Sequence, residues 1–125
     1  MRNWENLSKA ESLDVLKSEL QSFIGTTGYF RHWTGVLYTD GAQYMAERGH
    51  CYWLLDIIAS IRHLLHCKGV VICRLDVADD QTALFRALDY QDRSLYTQEL
   101  EFADLPPGVL DVYYCEGVIY VPSEH

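Results

Sequence analysis

The sequence predicts an α+β fold in which three helices precede a four- to five-stranded, mostly antiparallel β-meander. Three observations carry that expectation. Apolar residues recur at helical spacing before residue 68 and alternate after Gly69. The links between the later strands are short, which favours antiparallel neighbours. The 125 residues, 49% hydrophobic and 22% charged, contain no repeat, linker or low-complexity segment, so residues 1–125 read as one α+β domain.

Helix one is expected over residues 9–24. Ser8 and Glu11 fit a capping box, Leu13, Leu16, Leu20 and Phe23 keep helical spacing, and Gly25 ends the run. Residues 26–38 hold Tyr29, Phe30, Trp33 and Tyr38 among glycines and β-branched residues, a pattern of turns and short extended pieces. Thr39 or Asp40 then caps a short helix through Glu47, closed by Gly49. The third helix, residues 51–65, is apolar around most of its circumference and therefore central. Its polar stripe is Asp56, Ser60, His63 and Cys67.

Strands are expected at residues 70–77, 82–90, 94–102, 109–115 and 118–121, the last two joined at Glu116-Gly117. Residues 82–90 also suit a helix capped by Asp80, because Ala83, Leu84, Ala87 and Leu88 share one helical face.

Composition bounds the function. The formal charge of −8 divides into −1 for residues 1–62 and −7 for residues 63–125. Such a surface repels phosphate, so direct nucleic-acid binding is not expected. No apolar run approaches the roughly 18 residues that span a bilayer, and no signal segment follows Met1, so the expected location is the cytoplasm, away from membranes. Cys51, Cys67, Cys73 and Cys115 lie within elements and show no CxxC pair, which suits reduced, mostly buried thiols.

Several constellations invite chemistry. Asp56, Ser60 and His63 are the residue types of a catalytic triad, but Asp56 and His63 stand about 10.5 Å apart along a straight helix, too far for one imidazole to bridge. His63, His66, Cys67 and Cys73 match no zinc spacing, so neither a metal nor another cofactor is expected. The cluster richest in interface chemistry is Tyr29, Arg31, His32, Trp33, Tyr38 and Asp40. Tyrosine and tryptophan bury apolar area while keeping a polar handle, and Asp40 is expected to orient His32 or a ligand. The competing reading is that these rings complete the core while Asp40 only caps a helix.

Residues 25–32 (Gly-Thr-Thr-Gly-Tyr-Phe-Arg-His) and 37–41 (Leu-Tyr-Thr-Asp-Gly) resemble a family of small uncharacterised bacterial, phage and plasmid proteins, a domain of unknown function. Residues 44–47, 52–60 (Tyr-Trp-Leu-Leu-Asp-Ile-Ile-Ala-Ser), 97–102 and 121–125 continue the resemblance, which covers roughly residues 16–125. The chain departs from it at Phe30 and His125, where tyrosine is usual. The resemblance implies no activity.

Three functions are therefore weighed. The favoured one is a non-enzymatic protein-interaction module, an accessory protein of a mobile element acting through the aromatic loop or the acidic sheet. The second is a small enzyme or ligand-binding protein with a Tyr/His/Asp pocket. The third is an acidic mimic of nucleic acid that occupies a basic partner. Sixteen aromatic residues exceed what a modest core hides, so a homodimer burying some of residues 29–38 is expected.

Overall fold

The computed structural model describes residues 10–124. It is an α+β structure with four helices and a seven-stranded mixed sheet. In chain order these are α1 (Leu13–Leu20), β1 (Tyr29–Arg31), β2 (Leu37–Thr39), α2 (Asp40–Gly49), α3 (Tyr52–Ser60), α4 (Arg62–Leu65), β3 (Val71–Val77), β4 (Ala83–Leu88), β5 (Ser94–Leu100), β6 (Gly108–Cys115) and β7 (Val118–Tyr120), with a closing 3-10 turn at Pro122–Glu124.

The sheet order is β1-β2-β7-β6-β3-β4-β5, which corrects the expected meander in two ways. Two strands precede most of the helices, and β2 pairs parallel with β7, its partner from the far end of the chain. Three-residue strands are too short to show alternation, and a parallel neighbour leaves no turn signal. Only β3, β4 and β5 form a meander; β6 returns to the other side of β3. The return is clamped at Gln81, whose carbonyl accepts from the Ala103 amide at 2.8 Å while its side-chain amide donates to the Ala103 and Leu105 carbonyls. Residues 82–90 contain a strand, Ala83–Leu88, as the alternation indicated.

The helices also differ in detail. Ser8 and Lys9 of the expected capping box lie outside the described residues. Within them the first helix starts at Leu13, where the Ser12 hydroxyl accepts from the Val15 amide at 3.2 Å. The expected third helix is two helices. The Ile61 amide is shared between the Ile57 and Ile58 carbonyls, and Arg62 Nη1 caps the Ala59 carbonyl at 2.7 Å. That break turns α4 so that Leu65, 1% exposed, joins the core.

One set of alternate strand residues forms the core with the helices. Val71, Cys73, Leu75 and Val77 of β3, Phe85 and Ala87 of β4, and Leu110 and Val112 of β6 pack with Leu16, Met45, Leu54, Leu55 and Ile58. Burial pushes the Cys73 thiol up to about 12. The other alternate set stands outside this core and is half-exposed or exposed, apart from Leu88. Of the remaining cysteines Cys51 is buried, Cys115 is half-buried and Cys67 is exposed; none is bridged. No helix among the described residues is long and apolar enough to cross a membrane.

Candidate functional site

The six residues singled out in sequence fall on and beside the β1–β2 hairpin, but they do not converge. Pairing of Tyr29 with Thr39, Phe30 with Tyr38 and Arg31 with Leu37 alternates their directions. Tyr29 (60% exposed) and Arg31 face outward, and Trp33 at the tip is 87% exposed. His32, Tyr38 and Asp40 turn inward. Tyr38 stacks on Phe30 with centroids 5.6 Å apart and meets the Tyr52 edge at 6.5 Å. Burial, and after it the Glu47 charge, raises the Tyr38 phenol above its ordinary range. The expected pairing of His32 with Asp40 is absent from the described contacts; each residue serves a different network.

His32 is only 9% exposed and bridges the hairpin to α3. Its Nε2 lies 2.6 Å from Asp56 Oδ1, and its Nδ1 lies 2.8 Å from Thr34 Oγ1. The Thr34 backbone amide also points at Nδ1, at 3.2 Å. An amide can only donate, so Nδ1 is the acceptor and Nε2 carries the proton given to Asp56. The turn is closed by the His32 amide donating to the Val36 carbonyl (2.8 Å) and the Gly35 amide to the His32 carbonyl (2.9 Å), with Gly35 at φ +98°. Trp33 thus projects from a loop whose two flanking residues are tied down, with its ring 5.5 Å from that of His32.

Asp40 anchors a second network at the start of α2. It accepts from Thr27 Oγ1 at 2.8 Å and from the Thr27 amide at 3.3 Å. The preceding residue, Thr39, caps α2 by accepting from the Ala42 amide at 3.1 Å and donates its hydroxyl to Glu124 Oε1 at 2.6 Å. Glu124 further accepts from the Val121 and Gly41 amides and from Thr26 Oγ1. Two carboxylates therefore occupy the positive end of α2. A Cβ on Gly41 would stand 2.6 Å from Glu124 Oε1 and 2.8 Å from Val121 Cγ2, so only glycine fits there. Beside this network lies an open hollow of about 300 Å³ lined by Phe23, Ile24, Gly25, Thr26, Thr27 and Asp40.

Sequence reasoning missed Thr34, Asp56 and Glu124 as partners. Asp56 had been weighed with Ser60 and His63, but Ser60 Oγ bonds the Ile57 carbonyl at 2.7 Å and His63 is exposed beyond the helix break. His66 and Cys67 are likewise exposed while Cys73 is inside the core. Among the described residues no group of three or more His, Cys, Asp or Glu is arranged to hold a metal. The available signal was spacing between motifs: residues 25–28, 37–41 and 121–124, far apart in the chain, meet around the first turn of α2.

No curated protein and no solved structure matches the chain. A family model, described as "Family of unknown function (DUF6876)", matches residues 14–125, and the chain belongs to that family.

Proposed function

We propose that the chain is a non-enzymatic protein-interaction module whose contact surface centres on the β1–β2 hairpin. The observation that carries this reading is the pedestal under Trp33. The side chain is 87% exposed, yet His32 and Thr34 on either side are held by hydrogen bonds to each other and to Asp56. A large amphipathic ring on a pre-ordered loop loses little entropy on binding, which is the property of an interface anchor. Tyr29 and Arg31 extend the surface along β1, which is the sheet edge. The partner is a protein; an accessory role in a mobile element rests on the sequence resemblance alone.

The test is capture from an extract of the native host on immobilised full-length chain, with bound proteins identified by mass. Trp33→Ala should lose the captured partner by tenfold or more, as removal of an anchor worth about 2 kcal/mol requires, with an unchanged circular dichroism spectrum. Equal capture by wild type and Trp33→Ala overturns the reading.

A second reading draws on one specific geometry. The Thr34 hydroxyl, the His32 imidazole and the Asp56 carboxylate stand in the order of an acyl-transfer relay. Three features weigh against it. Nδ1 is already shared with the Thr34 amide, the Asp56 side chain is 62% exposed and so competes with water, and the hollow beside Asp40 is lined by other residues. Covalent labelling of Thr34 by an acyl-transfer inhibitor, abolished in Thr34→Val, would favour the enzyme. The acidic-mimic reading draws on Asp76, Glu99 and Glu101 around a groove at the β4–β5 end of the sheet; Arg74 and Arg86 interrupt the acidic pattern nearby.

A further inference from the structure

We propose that the side of β3, β4, β5 and β6 facing away from the helices is a two-fold contact surface between two copies of this chain. This surface is separate from the hairpin and stands or falls independently of the function proposed above.

Strand register arranges the outward residues in three rows. The first, Tyr120-Tyr113-Ile72-Leu88, is apolar across β7, β6, β3 and β4. The second is Asp111-Arg74-Arg86-Thr97 across β6, β3, β4 and β5. The third is Val109-Asp76-Leu84-Glu99 across the same four strands. Arg74 is satisfied by a bidentate pair with Asp111, at 2.9 and 3.2 Å. Arg86, placed directly opposite Arg74, has no such partner among the described residues. Its Nε is sealed from solvent without an acceptor, and like charges side by side on neighbouring strands repel. An atom shut off from water is also out of a second copy's reach, so it is the half-exposed remainder of the Arg86 side chain that can meet a group from outside.

A guanidinium charge without an ion-pair partner favours an anion, and this same face supplies one. Asp76 and Glu99 sit one row away, both exposed, and neither has a side-chain partner among the described residues. A two-fold interface brings a patch against itself, so it must carry its own complement. Here one copy's Arg86 meets a carboxylate of the other, and the reverse. The strand residues of this face hold two arginines against three acids, a net of −1 in a chain of −8, so their own charge opposes association only weakly. Four strands about 4.8 Å apart and some six residues long present roughly 400 Å² of flat area per copy. Side-chain relief brings that toward the roughly 800 Å² per partner of a specific interface.

Sedimentation equilibrium of the full chain at about 0.15 M salt, from micromolar concentration upward, is the test. Wild type should reach the dimer mass. Arg86→Glu should weaken the dimer at least about tenfold, as loss of a desolvated charge pair does. Adding Glu99→Arg or Asp76→Arg to Arg86→Glu should restore it, which a folding defect would not allow. Ile72→Glu should also dissociate the dimer, with circular dichroism confirming a native fold. A wild-type monomer at all concentrations overturns the proposal. So does a dimer indifferent to Arg86→Glu and Ile72→Glu. A dimer lost only in Trp33→Ala moves self-contact to the hairpin, overturning this inference while leaving the hairpin reading intact.

Discussion

The two faces of β3 and its neighbours are built from alternate residues of the same strands, yet they solve opposite problems. On the helix side Val71, Cys73, Leu75, Val77, Phe85 and Val112 are at most 3% exposed and lie in one aliphatic-aromatic core. On the other side Ile72, Leu84 and Tyr113 share space with Arg74, Arg86, Asp76 and Asp111 at intermediate or full exposure. The helix side is specified by volume, because each methylene there has neighbours to lose. The open side instead carries an order of charges, with Arg74 held by Asp111. The same sequence period thus writes two kinds of information into one strand.

The largest expected effect breaks the comparison if it fails. Phe85→Ala, on the covered face at 0% exposure, should destabilise the fold by about 3–5 kcal/mol. Ile72→Ala, one strand position from the core residues Val71 and Cys73 but facing out, should cost about 1 kcal/mol or less. Urea denaturation of both variants measures the difference; similar losses would mean that the open face is packed as tightly as the core.

A smaller effect separates both faces from the sheet's end, where neither volume nor charge order but close approach decides. Gly41→Ala places a methyl against Glu124 and Val121. Overpacking of this kind should cost about 1–3 kcal/mol, because Glu124 can only move by giving up Thr39 and the Val121 amide. Thermal unfolding of Gly41→Ala beside Gly25→Ala, which meets nothing within 4 Å, isolates the steric part.

The subtlest test uses thiols as reporters. Cys73 on the covered face is held near 12 by burial, so almost none is thiolate at neutral pH. Cys115, on the opposite set of alternate residues in β6, is half-buried. An aromatic disulfide reagent should therefore modify exposed Cys67 and then Cys115 in the native state and reach Cys73 only on unfolding. Native labelling of Cys73 at a comparable rate would sharpen the comparison into a statement about local opening rather than burial.

Much of the fold was legible from the sequence because it depends on local periodicity. β3 to β7 and α1 to α3 lie where alternation or helical spacing placed them, and Glu116-Gly117, both at positive φ, form the expected hairpin turn. The candidate surface was legible only as a composition. Tyr29, Arg31 and Trp33 are exposed while His32, Tyr38 and Asp40 are inward, and a three-residue strand gives too few positions to read that split beforehand. Arg86 carried no signal at all, since an arginine alternating with apolar residues is ordinary on a half-exposed strand.

Sequence alone determined the α+β class, a cap for α2 at Thr39 or Asp40 and the identity of the central apolar helix, because hydrophobic period and side-chain capping act within a few residues. Tertiary structure alone decided that β2 pairs with β7, that His32 takes Asp56 rather than Asp40, and that Glu124 closes onto Gly41. Those choices join groups distant in the chain. Their geometry follows from where the core halts each element, and no local pattern records a distance that only folding brings within hydrogen-bond reach.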